Sequence, residues 1–469
     1  MSEAIGGPVF IRLVTNNSQS HAVIEMTERV TPPETAPLPE NNPDKYTKAG
    51  AAICMKQHTD LIDRLAKSEK FIEAKGLNKI RLGKKGGIGL VSVGLVNNYA
   101  REAFEELTMA GVDVSGISTL ELAATLPYAV NKIDELLENC STVIVCEELE
   151  PHLEKFIYME AYKKNYSIKI IGKEDGTYKR IGEYNASTVV AGVCKALGID
   201  VPAALTAPKV DSEKHCAARP IGVCAGCPHR GTYMALEAGI KKAGYKKEEV
   251  MITGDIGCTI LGTMPPFNIL WTELAMGASI PLAQGVIYSN VQTPVIATIG
   301  DSTFFHAGIP GLVNVLQHNI NITVVIMDNG WTAMTGMQVN PGTIQEYQQG
   351  KWHQLDIEKV VKGLGVEQLY VVDPYEYDNM ADAIADAVSK SGVKVILARR
   401  ECAIQAARRG VKYSPVTLYS DKCIKCKKCI NVTGCPAISL GESSIEIDKA
   451  QCNGCGLCTK VCPFDALVK

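Results

Sequence analysis

Eight cysteines fall between Cys423 and Cys462, at the spacing of ligands. Cys423, Cys426, Cys429 and Cys435 form C-x2-C-x2-C-x5-C followed by Pro436, and Cys452, Cys455, Cys458 and Cys462 form C-x2-C-x2-C-x3-C followed by Pro463. Such spacing sets three thiolates on one tight loop, facing a common inorganic centre. A zinc ribbon uses four ligands as two C-x2-C pairs, which two consecutive three-cysteine loops do not match. A secreted disulfide framework fits no better. The start MSEAIGGPVFIRLV reads as no secretion signal, and the rest of the chain is large and core-rich. Iron–sulfur ligation, and hence electron transfer, is the chemistry this tail is built for.

A second constellation lies in GDSTFFHAGIPGLVNVLQHNINITVVIMDNG, residues 300–330. A strand is expected to end at Gly300, with Asp301 next, a helix starting near Gly308 and the following strand ending at Asn329. Asp301 and Asn329 then share the C-terminal edge of neighbouring parallel strands, where α/β proteins bind ligands. Mg²⁺ takes oxygen ligands such as a carboxylate, an amide oxygen, a backbone carbonyl and phosphate oxygens. Glycines let the backbone approach phosphate, and a helix N-terminus favours its charge. A lone Gly-Asp says almost nothing, and a capping Asp with a turn Asn is the bland alternative. Gly-Asp, then 27 residues, then Asn, with a helix between two buried strands, says much more.

Four further cysteines are candidates: Cys224 and Cys227 in VCAGCPHRG, Cys258 in TGDIGCTILG, and Cys402 in ARRECAI. The single C-x2-C alone is compatible with a redox pair, zinc or no function, and Cys402 with a small core residue. Cys54, Cys140, Cys146, Cys194 and Cys216 lack ligand spacing and are expected to be ordinary buried thiols.

The elements that must position these groups follow from hydrophobic patterning. At 469 residues the chain is too long for one core, so about three domains are expected. A net charge of −3 gives no reason to expect nucleic acid or a membrane surface as partner. No apolar run approaches the roughly 18 residues needed to span a bilayer, so a cytoplasmic location is expected. VFIRLV and HAVIEM, within 8–30, read as short strands, and TPPETAPLPENNPDKY (31–46) as a linker. Residues 47–76 have helical periodicity, with Ile53, Leu61, Ile62, Leu65 and Phe71 among the apolar positions. From residue 87 strands alternate with helices: GIGLVSVG, STVIVCEEL and SIKIIG read as strands, and NNYAREAFEELTMAG as a helix. Residues 201–220 read as an interdomain connection. From 221 to 410 the α/β pattern returns, with ITVVIMDNG as a buried parallel strand and VKVILARRE as the last one.

The second tail run resembles bacterial two-cluster ferredoxins, in which the fourth cysteine ligates the other cluster. That resemblance groups Cys423, Cys426, Cys429 and Cys462 in one [4Fe–4S] site and Cys452, Cys455, Cys458 and Cys435 in the other, with NVTG looping out before Cys435. The Gly-Asp…Asn segment resembles the thiamine diphosphate motif of transketolase-like enzymes, which implies Asp301, Asn329 and the carbonyl of Trp331 as Mg²⁺ ligands. CAGCPHR, GDIGC, TELAMGASIPLAQGV, GDSTFFHAGIPGL and the ferredoxin tail, in this order, are similar to the large subunit of indolepyruvate:ferredoxin oxidoreductases. GLVSVGLVNNYAREAFEEL and STVIVCEELEPHLE resemble the domain preceding the pyrophosphate domain there.

That family resemblance implies an α/β protein. Two doubly wound parallel-sheet domains, transketolase C-terminal-like (87–200) and thiamine pyrophosphate-binding (201–414), follow an N-terminal extension, linker and helix (1–86). A two-cluster ferredoxin-like domain (415–469) ends the chain. It also implies a proximal [4Fe–4S] cluster on Cys224, Cys227, Cys258 and Cys402, and a cofactor edge comprising Gly254, Asp255, Gly257, Gly300, Asp301, Ser302, Asn329 and Trp331. His229 would contact substrate or phosphate there. The implied reaction oxidatively decarboxylates a 2-oxoacid, an aryl one by resemblance, to acyl-CoA and CO₂, with electrons leaving to ferredoxin or another acceptor. A non-oxidative decarboxylase subunit and an electron-transfer scaffold without its own catalysis are the alternatives. The family's front domain, which binds the pyrimidine ring, finds no counterpart in residues 1–86. A separate subunit carrying it is therefore expected, with a small gamma-type subunit, in an oxygen-sensitive hetero-oligomer inactive without its partner.

Overall fold

The computed structural model describes residues 1–28, 41–206, 212–216, 221–350, 352–411 and 413–469. The chain divides into two compact units, Met1–His215 and Cys216–Lys469.

In the first unit, β1 (Lys79–Arg81), β2 (Gly87–Val93), β3 (Ser118–Leu122), β4 (Cys140–Cys146) and β5 (Lys169–Ile171) form a sheet in the order β1-β3-β2-β4-β5. β2 to β5 are parallel, whereas β1 runs antiparallel to β3, so the sheet is mixed rather than wholly parallel and begins before residue 87. The edge position explains this: β1 exposes Lys79 and Arg81, and an edge strand has no need of the crossover that parallel pairing demands. Alternate residues of the central strands face opposite helix layers. Leu90 and Ile144 pack towards the helices Val96–Met109 and Ala186–Leu197, and Val91, Val143 and Val145 towards Val130–Asn139 and His152–Lys163.

The front of the chain departs from expectation. Residues 8–28 contain no strand, only a short helix Thr15–Gln19, and Phe10, Ile11, Val23 and Ile24 are exposed. Apolar alternation yields a strand only where a partner edge accepts its backbone hydrogen bonds. Of the linker expected at 31–46, residues 29–40 lie outside the described residues, and Pro43–Tyr46 is a helical turn capped by Asn42. Ala51–Ala74 is helical as its periodicity requires, yet only Ser68 and Ile72 are buried and Leu61, Ile62 and Leu65 face outwards. Much of the 201–220 connection, residues 207–211 and 217–220, also lies outside the described residues.

The second unit holds five parallel strands, β6 (Met251–Thr253), β7 (Val295–Gly300), β8 (Ile322–Asp328), β9 (Gln368–Val372) and β10 (Val393–Arg399), in the order β6-β7-β8-β10-β9. Its register aligns the strand ends, with Gly300 beside Met327 and Asp328 beside Arg399. Asp301, Asn329 and Cys402 therefore emerge at one edge. The helix after β7 begins at Asp301 itself rather than near Gly308. It passes through a π-turn, Phe304–Gly308, before Ile309–Gln317. Pro310 has no N–H to give His306, and the wider turn absorbs that missing bond. Helices Pro228–Lys242 and Tyr377–Ser389 cover one face of the sheet; Ser279–Tyr288 and Ile309–Gln317 cover the other. In the same unit the tail folds as two small antiparallel pairs, β11 (Thr417–Leu418) with β14 (Leu467–Val468) and β12 (Ile438–Leu440) with β13 (Ile445–Ile447). Among the described residues no helix is long and apolar enough to cross a membrane.

Candidate cofactor edge and cysteine sites

Asp301 is buried, and its Oδ1 accepts the amide of Ser302 at 2.7 Å while Oδ2 has no hydrogen-bond partner. Burial, and then the negative Asp328 beside it, push the Asp301 carboxyl well above the usual carboxylate range. The Asn340 side chain and the Gly330 amide offset part of that push, and Asp328 is itself paired with Arg399. An Asp301 Oδ2 without a well-formed hydrogen bond is still an arrangement that a divalent cation relieves. Asn329 is also buried. Its Oδ1 accepts the Trp331 amide at 3.0 Å, which tightens the turn through Gly330 (φ 75°) and fixes the peptide carrying the Trp331 carbonyl. A bond of 2.9 Å from Thr332 Oγ1 to Ser302 Oγ ties this turn to the Asp301 loop.

The glycines differ in what they leave free. A Cβ on Gly254 would stand 2.5 Å from the Thr272 carbonyl, and Gly257 sits at φ 103°, so chain geometry alone requires both. A Cβ on Gly300 would meet only Thr259 Cγ2 at an ordinary 3.6 Å, which leaves open space above the end of β7. Asp255 faces inwards: its carboxylate accepts the amides of Ile256, Gly277 and Ser279 and so pins the 276–279 turn. His229 lies in the first turn of Pro228–Lys242 and is buried, with Nε2 3.5 Å from Asn329 Nδ2. Burial lowers its pKa to about 4, so it is neutral.

Cys224, Cys227, Cys258 and Cys402 converge beside this edge. Burial raises the thiols of Cys227 to about 12 and of Cys258 to about 11; the other thiols and Asp301 add to it, as neighbouring negative charges do. Burial raises the Cys402 thiol most, the amides of Gln405 and Ile404 offset part of that, and Cys224 adds to it. The Cys402 amide donates to the Asn329 carbonyl at 3.0 Å, and Trp331, Ala333 and Cys402 share one small apolar cluster, with Cys258 packed against it.

The tail cysteines surround two separate cavities. One is lined by Cys423, Cys426, Cys429 and Cys462; the other by Cys435, Cys452, Cys455 and Cys458. Among the described residues no three His, Cys, Asp or Glu side chains stand close enough to hold a single metal ion. Tetrahedral zinc would draw its sulfurs to about 3.8 Å apart, given Zn–S of about 2.3 Å. Burial raises the thiols of Cys429, Cys455 and Cys458, and a bound metal centre would favour their ionised form.

The insertion before Cys435 does not loop out. Residues Lys428–Thr433 form a helical turn, ended by Gly434 at φ 54°. A Cβ on Gly434 would lie 2.4 Å from Pro266 Cδ, so the insertion packs tightly against the α/β part of the unit. The carbonyl of buried Thr433 accepts Nη1 of Arg230, whose Nη2 donates to the carbonyls of Val223 and, at 3.0 Å, Cys224. Sequence reasoning passed over Arg230, although it directly follows His229 in the cysteine loop. It also passed over Asp328 and over Asn340, whose buried Nδ2 lacks a partner. Two of the thiols expected to be buried, Cys54 and Cys216, are exposed: Cys54 lies on the bare helix, and Cys216 follows the short helix Ser212–His215. Cys140, Cys146 and Cys194 are buried as expected.

Comparison with known proteins bears on this architecture. Residues 255–398 match the family described as thiamine pyrophosphate enzyme, C-terminal TPP binding domain, and residues 444–467 match a 4Fe-4S binding domain. The chain is 31% identical over 497 residues to indolepyruvate oxidoreductase subunit IorA of Pyrococcus horikoshii, covering 100% of this chain and 74% of that one. It is also 31% identical over 472 residues to the same subunit of Archaeoglobus fulgidus, covering 100% and 73%. Among solved structures, a 2-oxoglutarate:ferredoxin oxidoreductase from Magnetococcus marinus matches 41% of this chain and 68% of its own, at 20% identity and a TM-score of 0.36.

Proposed function

The chain belongs to the family of indolepyruvate oxidoreductase subunit IorA, as a thiamine-pyrophosphate-dependent 2-oxoacid:ferredoxin oxidoreductase subunit that binds iron–sulfur, and from this we propose how its residues divide the work. Asp301, Asn329 and the carbonyl of Trp331 hold Mg²⁺, which fits the partnerless Oδ2 of Asp301. Gly254, Gly257, Gly300 and Ser302 line the diphosphate. Asp255 shapes the turn beneath it, and neutral His229 contacts phosphate or substrate. When bound, thiamine diphosphate supplies the electron sink for decarboxylating the oxoacid.

Cys224, Cys227, Cys258 and Cys402 hold a proximal cluster. Cys435, Cys452, Cys455 and Cys458 hold an inner tail cluster, and Cys423, Cys426, Cys429 and Cys462 an outer one. The observation that carries this reading is the bond from the Cys402 amide to the Asn329 carbonyl, which joins cofactor edge and first electron acceptor through one hydrogen bond. The inner tail cavity is lined also by Ala225 and Gly226, from the loop between Cys224 and Cys227, which supports the order proximal, inner, outer. One-electron carriers in series suit an oxidative reaction rather than simple decarboxylation.

The substrate is an aryl 2-oxoacid, the acyl acceptor coenzyme A and the electron acceptor ferredoxin. A partner subunit and a small gamma-type subunit complete the assembly. Exposed Trp271, Leu274 and Met276, leading into the turn that Asp255 pins, favour a covering partner there. The test is an anaerobically purified complex assayed against a panel of 2-oxoacids. CoA-dependent reduction of an acceptor, fastest with aryl pyruvates, and no turnover by the isolated chain are expected. Aldehyde formation without any acceptor would contradict the oxidative reading.

A further inference from the structure

The two tail loops use one backbone path with different residues. In the inner loop, Cys452–Cys458, positive φ falls on Gly454 (67°) and Gly456 (82°). In the outer loop, Cys423–Cys429, the equivalent positions are Lys425 (φ 56°) and Lys427 (φ 62°). Left-handed backbone is unfavourable for a residue with a Cβ, and where it is tolerated Asn or Asp is the usual choice. Lysine at both positions is thus a departure from what the backbone alone would select.

The surroundings show what the lysines offer. Residues 421–430 carry Lys422, Lys425, Lys427 and Lys428 against one carboxylate, Asp421, in a chain whose net charge is −3. Lys422, Lys427 and Lys428 are exposed. Lys422 lies over the Tyr419 ring, and Lys425 donates to the Glu442 carbonyl at 2.6 Å. Among the described residues the Lys427 and Lys428 side chains have no hydrogen bond or ion pair within the chain. Both line the cavity of the outer cysteine tetrad, whose Cys426 is itself exposed beside Ile424, 63% exposed. The inner loop carries Asn453, Gly454, Gly456 and Leu457 at the corresponding places, with no charge among them, and is packed against the unit: a Cβ on Gly454 would stand 2.1 Å from the Ser414 carbonyl.

We propose that the lysine-rimmed Cys423–Cys429 loop is the docking surface for a small acidic one-electron carrier protein, with apolar Ile424 and exposed Cys426 at its centre. This rests on the oxidoreductase reading above and deepens it by assigning the exit. A cationic rim around an exposed redox loop steers an acidic partner and orients it, while short-lived contacts permit release. Each productive encounter oxidises the outer cluster by one electron and reduces the carrier by one, so two encounters clear the two electrons of one oxoacid.

The experiment compares the wild-type complex with Lys427→Gly/Lys428→Gln and with a charge-keeping Lys427→Arg/Lys428→Arg, using a strongly acidic [4Fe–4S] ferredoxin as the probe. Glycine suits the backbone at 427, so iron and sulfide content and the thermal midpoint of the first variant match or exceed wild type. Its KM for the ferredoxin rises roughly tenfold and loses most of its salt dependence, direct binding weakens in parallel, and the arginine variant behaves as wild type. An unchanged KM and salt dependence in the first variant would overturn the docking surface. A wild-type complex that reduces no acceptor with any 2-oxoacid would overturn the underlying reading, and the docking surface with it.

Discussion

The amide of Cys402 donates to the carbonyl of Asn329 at 3.0 Å, so the backbones of a proposed cluster ligand and a proposed magnesium ligand are braced against each other. Both residues follow the ends of adjacent strands, β10 and β8, whose register brings Arg399 beside Asp328. A thiol held this way is placed by the sheet, not by a mobile loop.

Replacing Cys402 by Ala keeps that backbone bond and removes only a sulfur. The variant is expected to fold and to lose about four of about twelve irons per chain, with the tail signals intact in electron paramagnetic resonance. Full iron content would remove Cys402 from the ligand set.

Asp301→Asn separates cofactor binding from stability. It removes a buried negative charge that sits beside Asp328 with one oxygen partnerless. Without cofactor the variant is expected to melt higher than wild type. The rise in melting temperature that Mg²⁺ and thiamine diphosphate give the wild type should vanish, with affinity reduced on the order of a hundredfold or more. Calorimetry with and without cofactor checks both signs.

His229 sets a pH dependence. Its pKa falls from the usual value near 6.5 to about 4 on burial. Between those values the unfolded chain binds a proton that the folded chain refuses, so stability falls as pH drops from about 6.5 towards 4 and levels off below. The loss amounts to roughly 3 kcal/mol, at about 1.36 kcal/mol per pH unit. His229→Gln should lack this slope in urea unfolding followed at stepped pH. An identical slope in both proteins would mean that other groups carry it.

Arg230 is the buried link between the C-x2-C loop and the tail, through the carbonyls of Val223, Cys224 and Thr433. Arg230→Met leaves these acceptors unpaired, at a cost of about 3 kcal/mol or more. The tail is expected to become protease-sensitive and the inner cluster to be lost first on exposure to air. Gly434→Ala, which sets a Cβ against Pro266 and keeps φ positive, should weaken the same seat by about 1–3 kcal/mol.

Much of this site was legible before the fold because its chemistry is local. Cysteines two or three residues apart must share a loop, and Asp301 and Asn329 each follow an apolar β-branched run that ends at a strand edge. What escaped was tertiary. Nothing in NVTG announces that Thr433 receives a guanidinium from Arg230, 203 residues earlier. Alternation in VFIRLV cannot reveal that no strand lies alongside it. The bare helix Ala51–Ala74 and its exposed Cys54 follow the same logic, since periodicity marks an apolar stripe without saying what covers it. The lysines at 425 and 427 were legible as charge, and only the backbone revealed that they occupy positions suited to glycine.

In the proposed reaction, electrons move from the Asp301 edge into the cysteine tail. The most direct test is freeze-quenched electron paramagnetic resonance of the anaerobic complex mixed with an aryl 2-oxoacid and coenzyme A, without external acceptor. Reduced [4Fe–4S] signals should grow in wild type, lose their tail component in Cys455→Ala and stay absent in Asp301→Asn. Tail clusters that remain oxidised while the oxoacid is consumed would contradict it.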